Sequence, residues 1–434
     1  MKKILIITYY WPPSGGSGVQ RWLKFVKYLT KNNYHCIVYT PRNPEIPVID
    51  HSLEKDIPNQ NFELIKTKIL EPYLLYKLFT GKSSKDKITV SFLNEKQKTK
   101  SLTEKISQWI RGNIFIPDAK ILWIKPSVKI LSTLLKTNKI DVIISTGPPH
   151  SLHIIALKLK QQFPDIKWIA DFRDPWTNID FLNELQLTSY ALQQHKNLEK
   201  KVVQTADRII SVSPTLTKEL SLLDPSNKEK FFTITNGFDE DDYINIPPAA
   251  NTNKNFIITH AGLIPSNRNP QVLWKALFEL RNENKLPENL KIQLIGKTDA
   301  LIMEEIKKHQ LEKYIEKLDY LPHSEVIKAE SNANVLLLII NNAPNSKGII
   351  TGKLFEYLAL QKPIIAIGPP DGDAAKIIHQ THSGIIIDYD DVEGMKNALL
   401  KLFFHPITPT RKEDILPFSR RVLTHELIKI IEKL

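Results

Sequence analysis

Residues 351–368 read TGKLFEYLALQKPIIAIG, and the α/β pattern of the chain is clearest in them. Apolar side chains recur at helical spacing over residues 354–358, which predicts an amphipathic helix capped by the Thr351 hydroxyl. Pro363 ends the helix, and the IIAIG run that follows is typical of a buried parallel strand. A helix that leads directly into such a strand indicates an α/β domain.

The same alternation extends in both directions from this stretch. Predicted strands, some including the following turn, cover 2–10, 35–41, 141–147, 167–174, 208–214, 231–237, 255–262, 291–296, 315–321, 334–340 and 384–390, with helices between them. One long helix is predicted over roughly 180–205, and residues 42–136 are less regular. Alternating strands and helices predict two doubly wound parallel sheets facing across a cleft.

The polar, proline-rich residues 238–255 are interpreted as a linker about which the domains close. We therefore predict a Rossmann-like first domain over 1–240, a Rossmann-like second domain over 255–416 and a terminal helix over 417–434. The length of 434 residues also favours two domains.

The composition indicates a globular protein in a reducing compartment. Hydrophobic residues make up 42% and charged residues 24% of the chain, and Cys36 is the one cysteine. A signal peptide and an apolar stretch of about 18 residues are both missing from the sequence, which predicts a cytoplasmic location.

The net charge of +12 is concentrated in residues 64–136, which hold 15 basic and 5 acidic residues. The same segment carries Tyr73, Tyr76, Phe79, Phe92, Trp109, Phe115 and Trp123. Basic residues interleaved with aromatics suit an anionic membrane surface. They also suit nucleic acid, and a solvated helix face over an ordinary aromatic core is the third interpretation.

Candidate ligand-binding residues of the first half follow its strands. The turn SGGSG at 14–18 contains Gly16 and Gly18 at a predicted helix start, where a phosphate or sugar could approach. It is a poor dinucleotide fingerprint, because Arg21 stands where glycine or alanine is needed. His150 follows another strand as a polar contact or a surface residue. The run Asp171-Phe-Arg173-Asp174 offers charges for a ligand, or an internal Arg–Asp pair.

The second half offers cations and one carboxylate in comparable positions. Gly262 and Arg268 follow the first strand of this half, and Lys353 lies beside Gly352 at the start of the helix quoted above. An arginine and a lysine at two helix starts could neutralise a diphosphate without a metal. Glu356 suits a ribose diol, or else pairs with Lys353 on a solvated face.

No pair of carboxylates at a strand end suggests a metal site. Asp371 and Asp373 come nearest, but their setting, GPPDGDAA, favours a turn and a helix cap. We therefore predict neither a metal nor another cofactor.

Taken together, these motifs resemble those of retaining glycosyltransferases of the GT-B fold, family 4 above all. The resemblance covers nearly the whole chain. It rests on the order and spacing of YYWPPSGGSGVQR, WIADFRDPW, ISVSPTL, TNGFD, HAGLIPSNRNPQVLWKAL, LPHSEVIKAESNANVLLL and GKLFEYLALQKPIIA.

The resemblance implies transfer of a sugar from a nucleotide-sugar to a saccharide or lipid-linked saccharide, as in cell-surface polysaccharide or lipopolysaccharide synthesis. It implies that Arg268 and Lys353 bind the diphosphate, that Glu356 binds the ribose and that His150 approaches the donor sugar. Gly16 and Gly18 would lie near the donor phosphates or the acceptor. The terminal helix would pack back on the first domain, and the enzyme would work at the inner face of the cytoplasmic membrane.

One position departs from the family pattern. Gly348 stands where the family has the first of two glutamates, the one that contacts the transferred sugar, and Lys347 or Lys353 is a hypothetical substitute. Two other classes therefore stay open: another enzyme of this fold, such as a sugar-nucleotide epimerase or a phosphorylase, and a non-catalytic protein that binds nucleotide-sugar or, less expected, nucleic acid.

Overall fold

The computed structural model describes residues 1–46, 48–71, 102–179, 182, 185–244, 255–405 and 410–434. The chain divides into two compact units. The first unit comprises Met1–Thr235 with Arg420–Leu434, and the second comprises Asn236–Ser419.

The first unit is built on a seven-stranded parallel sheet in the order β3-β2-β1-β4-β5-β6-β7. Its elements are β1 (Lys3–Ile7), α1 (Ser17–Lys31), β2 (His35–Pro41), β3 (Phe62–Thr67), α2 (Leu102–Asn113), α3 (Ile121–Thr137), β4 (Val142–Gly147), α4 (Ser151–Gln162), β5 (Lys167–Phe172), α5 (Ser189–Thr205), β6 (Arg208–Ser211), α6 (Pro214–Ser221) and β7 (Phe231–Thr233).

The second unit repeats this plan with a six-stranded parallel sheet in the order β10-β9-β8-β11-β12-β13. Its elements are β8 (Phe256–Ala261), α7 (Gln271–Asn282), β9 (Leu290–Ile295), α8 (Ala300–Lys308), β10 (Ile315–Leu318), α9 (His323–Asn332), β11 (Val335–Ile339), α10 (Gly352–Ala359), β12 (Ile364–Ile367), α11 (Asp373–Gln380), β13 (Gly384–Ile387), α12 (Val392–Phe404) and α13 (Lys412–Ile415).

The central strands are apolar throughout because helices cover both faces of each sheet. Every residue of β1 after Lys3, and every residue of β11 and β12, is buried. The prediction of two doubly wound parallel sheets is confirmed. Because βα turns gather at the carboxyl edge of such a sheet, this edge of each unit collects the polar candidates.

The last helix, α14 (Arg420–Glu432), belongs to the first unit although it follows the second along the chain. Leu423, Leu427, Ile430 and Ile431 are buried on the core shared by α1 and β2. The Tyr34 hydroxyl donates to Glu432, and Lys2 pairs with the same carboxylate at 2.8 Å. The division between the units thus falls after Thr235 and after Ser419.

The structure corrects two local predictions. β3 was not predicted within 42–136, because this edge strand is short and all of its residues are exposed or half-buried. Its alternation of polar and apolar residues is therefore weak. The long helix predicted from about residue 180 begins at Ser189, where Thr188 accepts from the Ala191 N–H and sets its start. Residues 245–254 of the predicted linker lie outside the described part of the chain.

Candidate active site

The turn between β1 and α1 carries the predicted glycines. Gly16 has a φ of +91°, and a side chain at this position would meet no atom within 4 Å. Gly18 lies in the first turn of α1, where a Cβ would come within 3.0 Å of an Arg173 nitrogen. The turn therefore leaves the backbone at Gly16 exposed and brings Gly18 against the half-buried Arg173.

Asp171, predicted as a donor contact, lies inside the unit with no exposed surface. It accepts from Arg21 at 2.8 Å, from the Trp22 indole at 2.7 Å and from the Thr146 hydroxyl at 2.8 Å. Burial acts to raise its pKa, but Arg21 and these hydrogen bonds outweigh burial and hold the pKa below its usual value. A direct donor contact therefore does not fit Asp171, and the internal ion pair is what the structure shows, with Arg21 as partner.

Arg173 is likewise held by backbone groups. It donates to the Gly18 carbonyl at 2.9 Å and to the Pro148 carbonyl, and its guanidinium lies 5.6 Å from the Tyr10 ring centre. These bonds tie the turns after β1, β4 and β5 together. Arg173 thus fixes the loops that would form the ligand site, and its predicted role as a donor contact stays a prediction.

His150, the predicted sugar contact, lies in the turn after β4 and stacks on Trp176 at 4.4 Å with an angle of 4°. Burial, followed by the neighbouring charges of His153 and Arg173, lowers its pKa well below the usual value. Its Nδ1 atom is buried and has no hydrogen-bond partner among the described residues. The ring is therefore neutral at pH 7, and its predicted contact with the donor sugar stays a prediction.

A second histidine beside it was missed by sequence reasoning. His153 Nδ1 lies 2.8 Å from the Ser145 hydroxyl, which also accepts from the Trp168 indole at 2.9 Å. An indole can only donate, whereas the Ser145 oxygen can accept two hydrogen bonds, so the direction of its bond with His153 depends on the imidazole tautomer. Burial lowers the pKa of His153 to about 3, so the ring stays neutral. The spacing of two histidines three positions apart, at 150 and 153, was the sequence feature that could have indicated His153.

In the second unit, three predicted or neighbouring residues meet where β8 ends. Gly262 has a φ of +141°, and a Cβ there would lie 2.7 Å from Lys353 Cε, 3.5 Å from its Nζ and 3.7 Å from His260 Nε2. His260 Nδ1 donates to the Leu337 carbonyl at 2.9 Å. Burial, then the charge of Lys353, lowers the pKa of His260 to about 4. The Lys353 ammonium group therefore lies over bare backbone beside a neutral imidazole.

The other predicted residues lie close to this group. Gly352 is the first residue of α10, and Arg268 ends the short 3₁₀ helix Ser266–Arg268. The charge of Arg268 lowers the pKa of His260, as that of Lys353 does, so both cations lie within electrostatic range of the imidazole. The structure thus gathers the predicted diphosphate-binding residues at the carboxyl edge of the second sheet.

Glu356 lies one turn further along α10 and is half-buried. The alternative ion pair with Lys353 is not formed: within the described ranges, neither side chain takes part in a salt bridge. Its charge acts on Tyr243, on Tyr357 and on the buried carboxyl of Glu330. Glu330 was missed because the helix HSEVIKAESN reads as an ordinary polar helix.

The predicted cap of α10 is wrong in one respect. Thr351 is the N-cap residue, but its hydroxyl makes no capping bond and is buried without a partner among the described residues. Lys347, a hypothetical substitute for the missing glutamate, pairs instead with Asp371 at 2.5 Å. Asp373 opens α11 and pairs with Lys376 at 2.9 Å, in line with a turn and helix start.

Comparison with known proteins agrees with this fold. Residues 255–404 match the family described as glycosyl transferases group 1. A glycosyltransferase from Rickettsia africae ESF-5 superposes with a TM-score of 0.63 at 14% identity, covering 100% of this chain and 98% of that one. Alr3699/HepE of Anabaena, in complex with UDP-glucose, gives 0.61 at 11% identity, covering all of both chains.

A third structure, the lipopolysaccharide outer core galactosyltransferase WaaB in its apo form, gives a TM-score of 0.59 at 12% identity and covers all of both chains. A search of curated protein sequences gives no match. The chain therefore has the GT-B fold that these glycosyltransferases share. More particularly, residues 255–404 of its second unit match the family of glycosyl transferases group 1.

Proposed function

We propose that the chain transfers a sugar, with retention of configuration, from a nucleotide-sugar to a saccharide or lipid-linked saccharide. The observation that carries the proposal is the arrangement at the end of β8, where the Lys353 ammonium group lies over Gly262 beside His260. This arrangement leaves a cation and bare backbone at a helix start, which suits a diphosphate.

Departure of the nucleotide diphosphate builds negative charge on its phosphate oxygens. Lys353 and Arg268 supply the opposing charge, and the positive end of the α10 dipole adds to it. Fixed charges that oppose developing charge lower the barrier without reorganising during the reaction. Since side chains and backbone provide this charge, we expect transfer to continue in a chelator.

The remaining contacts are assigned along the donor, from its ribose to the transferred sugar. Glu356, one turn from Lys353, accepts hydrogen bonds from the ribose hydroxyl groups. His150 forms a hydrogen bond with a hydroxyl group of the transferred sugar. The acceptor then attacks from the face that the diphosphate leaves, which retains configuration without an enzymatic nucleophile. The first unit supplies the acceptor site.

Donor binding is the first test. We would measure thermal stability with UDP-, GDP-, ADP-, dTDP- and CMP-sugars, for the wild type and for Glu356→Ala. A donor at about 100 times its Kd stabilises by ~2–3 kcal/mol, and Glu356→Ala should remove most of this effect. The exposed Glu325→Ala is the matched control. Equal stabilisation of the wild type and Glu356→Ala would contradict the ribose role, and no stabilisation by any donor would contradict the proposal.

Transfer itself is tested with the donor so identified. The anomeric configuration of the product, read by nuclear magnetic resonance, should match that of the donor sugar, and the rate should be unchanged by EDTA. An inverted product or a chelator-sensitive rate would contradict the mechanism. We place the acceptor in cell-surface polysaccharide or lipopolysaccharide synthesis, which the likeness to WaaB supports.

We further propose that residues 64–136 hold the first unit against an anionic membrane at its cytoplasmic face. No helix in the described residues is long and apolar enough to span a bilayer. Exposed apolar side chains in this segment include Leu70, Ile106, Trp109, Ile114 and Leu122. Such side chains combined with a basic excess suit the lipid headgroup region.

The segment is not uniform, because some of its aromatic and basic residues are internal. Trp123 is fully buried and stacks on Tyr39 at 5.1 Å, and Lys120 is buried with Glu71 at 2.8 Å. Tyr73, Tyr76, Phe79 and Phe92 lie outside the described residues. The interpretation as core aromatics thus applies to Trp123, and the membrane proposal rests on Trp109 and its exposed neighbours.

Flotation with liposomes tests the membrane proposal. The wild type should float with vesicles that contain anionic lipid, and Trp109→Ser should float several-fold less. Tyr320→Ser, at an even more exposed aromatic of the second unit, should behave as the wild type. Equal flotation with neutral and anionic vesicles, or no effect of Trp109→Ser, would contradict the proposal.

A further inference from the structure

Glu330 is a buried carboxyl group that the proposed chemistry does not use. It lies in the last turn of α9, a helix that packs on β8, and only 1% of its surface is exposed. Its Oε1 atom has no hydrogen-bond partner in the part of the chain that is described. Buried carboxyl groups are rare unless paired, because losing water costs several kcal/mol.

The groups that face Glu330 are those of the donor site. From α10 come the Lys353 ammonium group, which attracts an ionised Glu330, and the Glu356 carboxylate, which repels it. The hydroxyl groups of Tyr243 and Tyr357 also lie within electrostatic range. The charges of Lys353 and Arg268 both act on His260 at the end of β8. Glu330 thus lies within electrostatic range of the cation expected to bind the diphosphate.

Burial decides the protonation of this carboxyl. It raises the pKa of Glu330 to about 8, with Lys353 opposing the shift and Glu356 adding to it. Glu330 is therefore mostly neutral at pH 7, and in this state it does not neutralise the charge of Lys353.

We propose that Glu330 is a positioning residue of the donor site, which leaves Lys353 to a diphosphate while it holds a proton and pairs with Lys353 once it loses that proton. The inference rests on the proposed function, because it assigns Lys353 to the diphosphate. It adds Glu330 to the residues that affect donor binding, and it makes donor binding depend on whether Glu330 holds its proton.

The direction of the pH effect follows from linkage. A diphosphate beside Lys353 disfavours a second negative charge nearby, so the complex holds the Glu330 proton more tightly than the free protein does. Affinity should stay level up to about pH 8 and fall above it, as the free protein loses this proton. At pH 9, Kd should be about tenfold weaker than at pH 7, because the free protein is then about ten parts ionised to one part neutral.

The experiment is calorimetric titration with UDP, GDP, ADP, dTDP and CMP at pH 7, followed by the tightest of them at pH 9. Glu330→Gln keeps the shape of the neutral carboxyl and cannot ionise, so its Kd should change less than twofold between the two pH values. The exposed Glu325→Gln, on the same helix, should follow the wild type. Titrations in two buffers of different ionisation enthalpy should show proton uptake on binding at pH 9, absent in Glu330→Gln.

The outcomes separate the two proposals. Tight binding with the same pH dependence in the wild type and Glu330→Gln would overturn the role of Glu330 and leave the proposed function standing. No binding of any nucleotide by the wild type at pH 7 would overturn the proposed function and, with it, the donor link of Glu330.

A ligand-free measurement checks the protonation independently. A neutral buried carboxyl must give up its proton on unfolding, so wild-type Tm should fall relative to Glu330→Gln between about pH 5 and pH 8 and then run parallel. Parallel curves over the whole range would overturn the inference whatever the nucleotides do.

Discussion

At the scale of single residues, the first unit depends on a buried charge network around Asp171. The carboxylate accepts from Arg21, Trp22 and Thr146, which come from α1 and β4, so one side chain joins two βα units. Arg21 in turn donates to the Thr235 carbonyl at 2.8 Å, close to where the chain leaves the unit. Both charges of this pair are buried, so water cannot take the place of either partner.

We expect Asp171→Asn to destabilise the first unit by about 3–5 kcal/mol, because it leaves the buried Arg21 without its counter-charge. Urea unfolding followed by tryptophan fluorescence measures this loss. Asp165→Asn, at an exposed aspartate, should change stability by less than about 0.5 kcal/mol. A loss below about 1 kcal/mol at Asp171 would show that water reaches the pair.

The same pair should shape the acid side of the stability curve. Since the folded pKa of Asp171 lies below the unfolded value of about 3.9, its contribution is complete above that value and is lost as pH falls through the folded pKa. Between pH 5 and pH 2, the wild type should therefore lose stability more steeply than Asp171→Asn. Parallel unfolding curves would contradict this assignment.

Gly262 sets the position of Lys353. Gly262→Ala should cost roughly 1–3 kcal/mol of backbone strain at a φ of +141° and displace the Lys353 side chain, weakening nucleotide binding more than tenfold. Calorimetric titration with Gly262→Ala, Lys353→Met and the double variant tests the mechanism. If the glycine acts through Lys353, the two effects will not add, and full additivity would count against it.

Predictions from the sequence were correct where the local pattern determines the structure. They failed where residues distant in the sequence come into contact. The residues at the carboxyl ends of β8 and at the start of α10 could be found because strand ends are readable from apolar runs. That Asp171 pairs with Arg21 could not, since the sheet register brings together side chains 150 positions apart. Glu330 was hidden for the same reason, because burial of a helix residue depends on what packs over it.

At the scale of elements, α10 begins with an unused hydroxyl group. Thr351 is placed as a cap but does not act as one, and its Oγ1 is buried without a partner among the described residues. If this helix start binds the diphosphate as proposed, the unmade side-chain cap leaves N–H groups of its first turn to the ligand. The sequence predicted the helix correctly and the function of its first residue incorrectly, because capping residues and ligand-binding residues are the same types.

Thr351→Val should therefore leave the ligand-free protein unchanged or up to about 1 kcal/mol more stable, since it removes a buried unpaired hydroxyl. It should also weaken nucleotide binding several-fold if the hydroxyl contacts the donor. Thr381→Val is the contrasting control, because its hydroxyl bonds the Ile377 carbonyl at 2.7 Å and Ser383 at 2.8 Å, and should cost about 1–3 kcal/mol. Equal losses in thermal unfolding would contradict the prediction.

At the scale of the whole molecule, the first unit is completed by the end of the chain. α14 buries Leu423, Leu427, Ile430 and Ile431 in its core. Four such side chains contribute roughly 6–12 kcal/mol, which is comparable with the entire stability of a domain. The helix is thus part of the first fold and not an appendage.

We expect a chain that ends at Ser419 to lose the cooperative unfolding of the first unit and to become sensitive to protease there. Limited proteolysis with mass spectrometry would locate the cuts, which should fall within 1–235 before 236–419. A full-length Glu426→Gln chain, altered at an exposed residue of the same helix, should resist as the wild type does. A truncated chain that resists equally would show that α14 is dispensable.

The return of α14 also makes the second unit an insertion in the chain of the first. Phe238 and Ser419 are bridged in parallel, so the insertion leaves and returns at neighbouring points. On the ribosome, 236–419 must all be made before α14 emerges, which takes roughly 10–40 s at about 5–20 residues per second. During that time the nascent first unit carries an open apolar face, while the second can already fold. The part of the chain synthesised first is therefore the part finished last, and it is the one in need of a chaperone.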